Sequence, residues 1–330
     1  MLQRLRLWLP GLTVAATVAL AVGFIAEHYG GPPFLLALLL GMAFNFLAAD
    51  PRVRPGIDFA ARSVLRLGVA LLGIRITFDR IADLGPGPVA LAVGGVSVAI
   101  LTGLITAKLA GRSREEGLLS GGAVGICGAS AAMAVAAALP RSPQSERLTL
   151  LTVIGVTALS TLAMVIYPLL AKALGFDETQ AGILFGATIH DVAQVLGAGL
   201  TVSPQAGDVA TFVKLMRVAC LLPVVFLIGW AYRNHGAAGE GGAARAQLLP
   251  PFLIGFAALV VTGSILPLPA QAVGVVSDVS RGCLLVAIAA LGVKTSFGEL
   301  FALGWKPLAL ILIETLVLLA FVMTALLVVV

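Results

Sequence analysis

Residues 186–199 read GATIHDVAQVLGAG. They set His190, Asp191 and Gln194 into a stretch that is otherwise apolar, with AGILF before it and LGAGL at its end. An Asp at the centre of a membrane helix costs roughly 2.5–3.5 kcal/mol on insertion scales, so such groups face a bundle interior or a watery cavity and carry a role. On a continuous helix His190 and Gln194, four apart, share a face, with Asp191 about 100° round from His190. Two readings stand: a structural cluster satisfied by neighbouring helices, or part of a functional site.

The rest of the chain is membrane-like. Of its 330 residues, 59% are hydrophobic and 11% charged, against the roughly 25% charged of a soluble domain. A helix crossing a hydrocarbon core of about 30 Å needs roughly 20 apolar residues. On that rule eleven spans are expected, near 8–26, 33–48, 63–77, 87–109, 116–138, 147–172, 180–200, 207–231, 249–267, 280–296 and 305–328. The fold class is an all-α polytopic membrane protein of about 10–11 transmembrane helices, with an inverted repeat and discontinuous core helices. It reads as a single transmembrane transporter domain over 1–330. The first apolar run is too long for a signal-peptide core of roughly 7–15 residues. The longest polar connection, near 233–247, is a Gly/Ala linker.

The net charge of +5 reflects membrane topology rather than nucleic-acid binding. With the N-terminus inside, the cytoplasmic connections hold the larger share of Lys and Arg, including Arg4, Arg6, Arg52, Arg54, Lys108, Arg112 and Arg114. Cys127, Cys220 and Cys283 lack CxxC or Cys/His spacing, which predicts neither a disulfide framework nor a metal site.

A repeat is visible between 32–110 and 250–328. PPFL at 32–35 recurs at 250–253, and Arg62–Leu91 aligns without gaps to Arg281–Leu310 with eleven of thirty positions identical. Gly73 matches Gly292, Phe78 Phe297, Gly85 Gly304 and Pro88 Pro307, while Arg75 meets Lys294. A displacement of seven spans is odd, so the second copy is inverted. Inverted repeats with discontinuous helices at the midplane are the architecture of secondary transporters.

The polar core spans lie within 116–231. Gly117, Gly121, Gly125 and Gly128 line one face of span five. They form either a seam where another helix packs closely or, around GICGAS at 125–130, a helix break. In the second case the N–H groups of Gly128, Ala129 and Ser130 open a half-helix whose positive end holds an anion. Span eight carries Lys214 and Arg217 three apart. They either snorkel to an interface or turn inward, one neutralising Asp191 and the other attracting an anion. Glu314 in span eleven is a lone carboxylate, a proton carrier or an ion-pair partner.

Four motifs carry a resemblance: LRLGVALLGIRITF at 65–78, GAVGICGASA at 122–131, GATIHDVAQVLGAG at 186–199 and VKLMRV at 213–218. Together they resemble the YeiH-like family of bacterial inner-membrane proteins labelled sulfate exporters, over nearly the whole chain. Leu196 and Gly197 depart from the Val and Ala common there. The family is similar to the wider group of cation/proton antiporters and anion transporters. The resemblance implies crossed discontinuous helices and a core domain moving against a scaffold, with Cys127, Gly128, Ser130, His190, Asp191, Gln194, Lys214 and Arg217 as motif residues.

The expected function is secondary transport of a small anion such as sulfate or sulfite across a bacterial inner membrane. The expected substrate-binding residues are Gly125, Cys127, Gly128, Ala129, Ser130, Thr188, Gln194, Lys214 and Arg217. His190 and Asp191 are expected to couple transport to a proton or sodium ion. Cation/proton antiport through Asp191 is the alternative. A hydrolase with Cys127 as nucleophile and His190 and Asp191 as base and orienter is the rival from another class. An inverted repeat has no use in such an enzyme, so none is expected. No cofactor is expected, and a homodimer is the assembly expected by analogy.

Overall fold

The computed structural model describes residues 2–29, 32–140, 143–232, 251–295 and 305–329. The expected Gly/Ala linker and the repeat positions Phe297 and Gly304 lie outside them. The described residues are helical, with no strand among them. Among the described residues six helices are long and apolar enough to cross a membrane: Arg6–Tyr29, Gly87–Leu109, Arg147–Ala173, Pro204–Ala231, Ala270–Lys294 and Leu308–Val328. Shorter apolar helices at Pro33–Ala43, Ala129–Ala138, Val192–Val202 and Pro251–Ile265 account for other expected spans. Large apolar side chains such as Leu20, Leu101, Ile105, Phe226 and Trp230 point outward, as a lipid solvent favours.

The chain divides into two compact units. The first comprises 1–85, 196–208 and 250–296. It contains α1 (Leu2–Tyr29), α2 (Pro33–Ala43), α3 (Arg54–Phe59), α4 (Leu65–Leu72), α5 (Phe78–Asp83), α14 (Pro251–Ile265) and α15 (Ala270–Lys294). A π-helical segment, Ala60–Val64, joins α3 to α4, and a 3₁₀ turn, Gly73–Arg75, follows α4. Contacts here recur in matched pairs under the register of the repeat. A side chain at Gly292 would strike the Leu38 carbonyl, and one at Gly73 the carbonyl of Phe256, the residue matching Leu38. Asn45 donates to the Val293 carbonyl, while its match Gly263 packs on the carbonyl of Ile74, the match of Val293. The cations at matched helix ends are both paired, Arg75 with Asp208 and Lys294 with Asp58. Backbone contact of this kind admits only small residues, which is why the matched glycines stand where they do.

The second unit comprises 86–195, 209–249 and 297–330. Its helices are α6 (Gly87–Leu109), α7 (Arg114–Gly125), α8 (Ala129–Ala138), α9 (Pro143–Ala173), α10 (Glu178–Thr188), α13 (Leu221–Ala231) and α16 (Trp305–Val329). It also includes the first residues of α11 (Val192–Val202) and most of α12 (Pro204–Ala219). The close seam and the helix break expected of the span-five glycines are both present, at different residues. Gly117, Gly121 and Gly125 press on α6, where a side chain at Gly121 would lie 2.6 Å from the Ala99 carbonyl. Gly128 is the break.

Candidate functional site

The site is where two interrupted helices of the second unit meet. The chain leaves α7 through Ile126, and α8 starts from Gly128 at φ 63° and ψ −125°, a conformation close to glycine-only. Span seven breaks where α10 ends at Thr188 and Ile189 turns extended at ψ 139°. The breaks touch: a side chain on Gly128 would sit 3.6 Å from the His190 carbonyl.

His190 and Asp191 therefore lie in a non-helical connection rather than on a helix. The shared face expected for His190 and Gln194 on a continuous helix does not apply, because His190 precedes α11, which begins only at Val192. His190 is fully buried, with Nε2 3.0 Å from the Thr315 hydroxyl of α16. That hydroxyl donates to the Ile311 carbonyl at 2.7 Å, so with its single proton committed it accepts from an Nε2–H. The Asp191 N–H donates to Ser160 of α9 at 3.0 Å, and its Oδ1 accepts from the Ala193 N–H at 2.9 Å. Asp191 thus caps the first turn of α11. Gln194, fully buried, donates to Thr161 at 3.4 Å, and its Oε1 has no partner.

Lys214 and Arg217 do not snorkel; both are fully buried. Lys214 Nζ donates to the carbonyls of Ile126 at 2.6 Å and Ile189 at 2.9 Å. Arg217 donates to Val124 at 2.7 Å, Gly125 at 2.6 Å, and Gly186 and Ile189 at 3.1 Å each. These carbonyls are the unpaired acceptors at the C-terminal ends of α7 and α10, where the helix dipole favours cations. Both side chains therefore bind the two breaks to each other.

Of the other expected residues, Gly125 offers its carbonyl to Arg217. The Thr188 hydroxyl donates back to Leu184 in its own helix. Cys127 is a buried free thiol in the first break. Ala129 is half-buried and Ser130 exposed at the start of α8. That N-terminus has no side-chain cap, whereas Ser113 caps α7 and Asp177 caps α10 through a capping box with Gln180. Ser160, Thr161 and Thr315 complete the site without having been singled out in the sequence. Their only signal is a pair of adjacent polar residues in an apolar span, LST at 159–161 and ET at 314–315. Among the described residues no cluster of His, Cys, Asp and Glu could hold a metal ion. A separate crevice of about 500 Å³, with Arg114, Glu115 and Tyr232 among its lining residues, includes none of the crossing residues.

Residues 10–311 match the family model described as "Conserved hypothetical protein 698". The chain is 52% identical over 314 residues to the UPF0324 membrane protein TauZ of Paracoccus pantotrophus, covering 95% of this chain and 93% of that one. It is 49% identical over 309 residues to a UPF0324 membrane protein of Chlorobaculum tepidum, covering 93% and 86%. Against a UPF0324 membrane protein of Bordetella pertussis it is 35% identical over 306 residues, covering 91% and 87%. No solved structure matches. The chain belongs to the Conserved hypothetical protein 698, or UPF0324, family of membrane proteins, in keeping with the YeiH-like resemblance of its motifs.

Proposed function

We propose that this UPF0324 membrane protein is a secondary transporter of a small inorganic or sulfur-containing anion such as sulfate or sulfite, and not an enzyme. The observation that carries the reading is the uncapped N-terminus of α8, with Ser130 exposed in its first turn, beside the buried cations Lys214 and Arg217. A bare helix N-terminus offers N–H donors and a positive dipole end to an anion, and the two cations outnumber the single Asp191 carboxylate at the crossing. The Gly128 N–H, expected from the sequence to face the anion, is already given to the Ala123 carbonyl at 2.9 Å, so the N–H groups of Ala129 and Ser130 and the Ser130 hydroxyl are the direct anion ligands. Lys214 and Arg217 act through their field while holding the breaks in place. Gly125, Cys127, Thr188 and Gln194 shape the wall behind them.

His190 and Asp191 serve as coupling groups for a proton or sodium ion. Carrying a proton with the anion changes the net charge moved, which at 100 mV is worth about 2.3 kcal/mol per elementary charge. The setting is the bacterial inner membrane, with the N-terminus cytoplasmic and a homodimer as the assembly.

Labelled sulfate and sulfite uptake into proteoliposomes, with and without a pH gradient, tests the reading. Uptake of one of them that is altered by His190→Ala is the expected result. No uptake of either anion would sink it. Sodium-dependent proton flux without any anion, abolished by Asp191→Asn, would put cation/proton antiport in its place.

A further inference from the structure

Glu314 lies in α16 within the second unit and is fully buried. Among the described residues no cation pairs with it, and its Oε2 has no hydrogen-bond partner. Its Oε1 lies 2.6 Å from the hydroxyl of Ser120 on α7. A carboxylate removed from water without a cation and with a single donor is strongly disfavoured against its neutral acid.

The hydroxyl points the same way. Ser120 Oγ carries one proton yet lies within hydrogen-bond reach of two acceptors, Glu314 Oε1 and the Glu116 carbonyl at 3.0 Å. Donation to the carbonyl one turn back is a common habit of helical serine. With that bond made, the proton in the 2.6 Å contact belongs to Glu314.

We propose that Glu314 is a proton-binding site of the second unit, protonated in this conformation and donating to Ser120. On release, the O–H bond of the acid breaks and the proton passes to water. The Ser120 hydroxyl then turns from the Glu116 carbonyl to the carboxylate. The groups on the elements packed against α16 leave this site without a counter-charge. On α7, Glu116 is itself paired with Arg112 at 3.0 Å. The connection after α10 brings His190, engaged with Thr315, and Asp191, engaged with Ser160 and Ala193. Among the described side chains the charges of α6, α9 and α10 stand near their ends: Lys108; Arg147 and Lys172; and Glu178.

Infrared spectroscopy of the full chain in lipid vesicles at neutral pH reads the proton directly. Wild type is expected to show a carboxylic-acid C=O stretch that Glu314→Gln lacks, the amide N–H replacing the acid as donor to Ser120. The same stretch in Glu314→Gln, or none in wild type, overturns the proposal. Should Glu314→Gln fail to fold, Ser120→Ala decides: loss of the hydrogen-bond partner shifts the band, and an unshifted band overturns the assignment. The step from proton site to coupling rests on the transporter reading. In proteoliposomes Glu314→Gln is expected to lose the response of sulfate or sulfite uptake to a pH gradient. An intact response overturns that step. If wild type moves neither anion, the transporter reading fails while the infrared result stands.

Discussion

At 126–128 the chain leaves α7 and re-enters a helix through Gly128 at φ 63°, with no side chain covering the new N-terminus. At 189–191 it turns without any glycine: Ile189 adopts an extended ψ of 139°, and Asp191 places its own carboxylate on the Ala193 N–H. One break is made by backbone freedom and stays open; the other is made by side chains and supplies its own anion. The difference divides the labour. The α8 end can accept a foreign anion, whereas the α11 end already holds a carboxylate and tolerates a second negative charge poorly. Arg217 is the larger of the two ties the breaks share, reaching the last carbonyls of α7 and α10 at once, while Lys214 joins Ile126 to Ile189.

Removing that shared tie should have the largest effect. Arg217→Ala leaves the carbonyls of Val124, Gly125 and Gly186 without their buried donor. It is expected to destabilise the second unit by several kcal/mol, at about 1–3 kcal/mol for each buried acceptor left without a donor. Thermal unfolding in detergent checks this, with Arg217→Lys intermediate because an ammonium cannot match the guanidinium's planar fork. Near-wild-type stability of Arg217→Ala would mean that Lys214, through Ile126 and Ile189, suffices to tie the two breaks.

The asymmetry itself is exposed by Gly128→Ala. A non-glycine residue held at φ 63° and ψ −125° is strained by about 1–3 kcal/mol, while the space at the position is ordinary van der Waals contact. The variant should fold with a lowered melting temperature and lose anion uptake out of proportion, because the strain falls on the N–H groups assigned to the anion. Stability and uptake reduced in step would argue that the break is only structural.

How much of this was legible in the sequence follows from what helical periodicity encodes. The break in span five could be read, because a glycine-rich interruption of an apolar run is a local signal, whereas the polar residues of span seven marked that stretch without showing where the helix ends. The close α6–α7 seam could be read too, from glycines spaced along one face. The roles of Lys214 and Arg217 could not. Three-residue spacing puts them on one side of α12, but their partners are backbone carbonyls as far as 93 positions away, and carbonyls carry no sequence signature. Ser120, Ser160, Thr161 and Thr315 were hidden for another reason: hydroxyl residues in membrane helices commonly bond back to their own helix. Only the fold shows which of them also serve a neighbour. The pairing of His190 with Gln194 failed because a face can be counted only along an unbroken helix.

The smallest expected effect on stability discriminates best between the two roles given to Asp191. Asparagine caps a helix about as well as aspartate, whereas alanine in its place costs about 1 kcal/mol. Asp191→Asn should therefore melt near wild type and Asp191→Ala slightly lower. If the carboxylate is a coupling group, both substitutions abolish the response of uptake to the ion gradient, because both remove the charge. If Asp191 serves only as the cap of α11, Asp191→Asn transports as wild type and Asp191→Ala alone is impaired. Measuring the two side by side separates charge from geometry at a position where the static structure displays both.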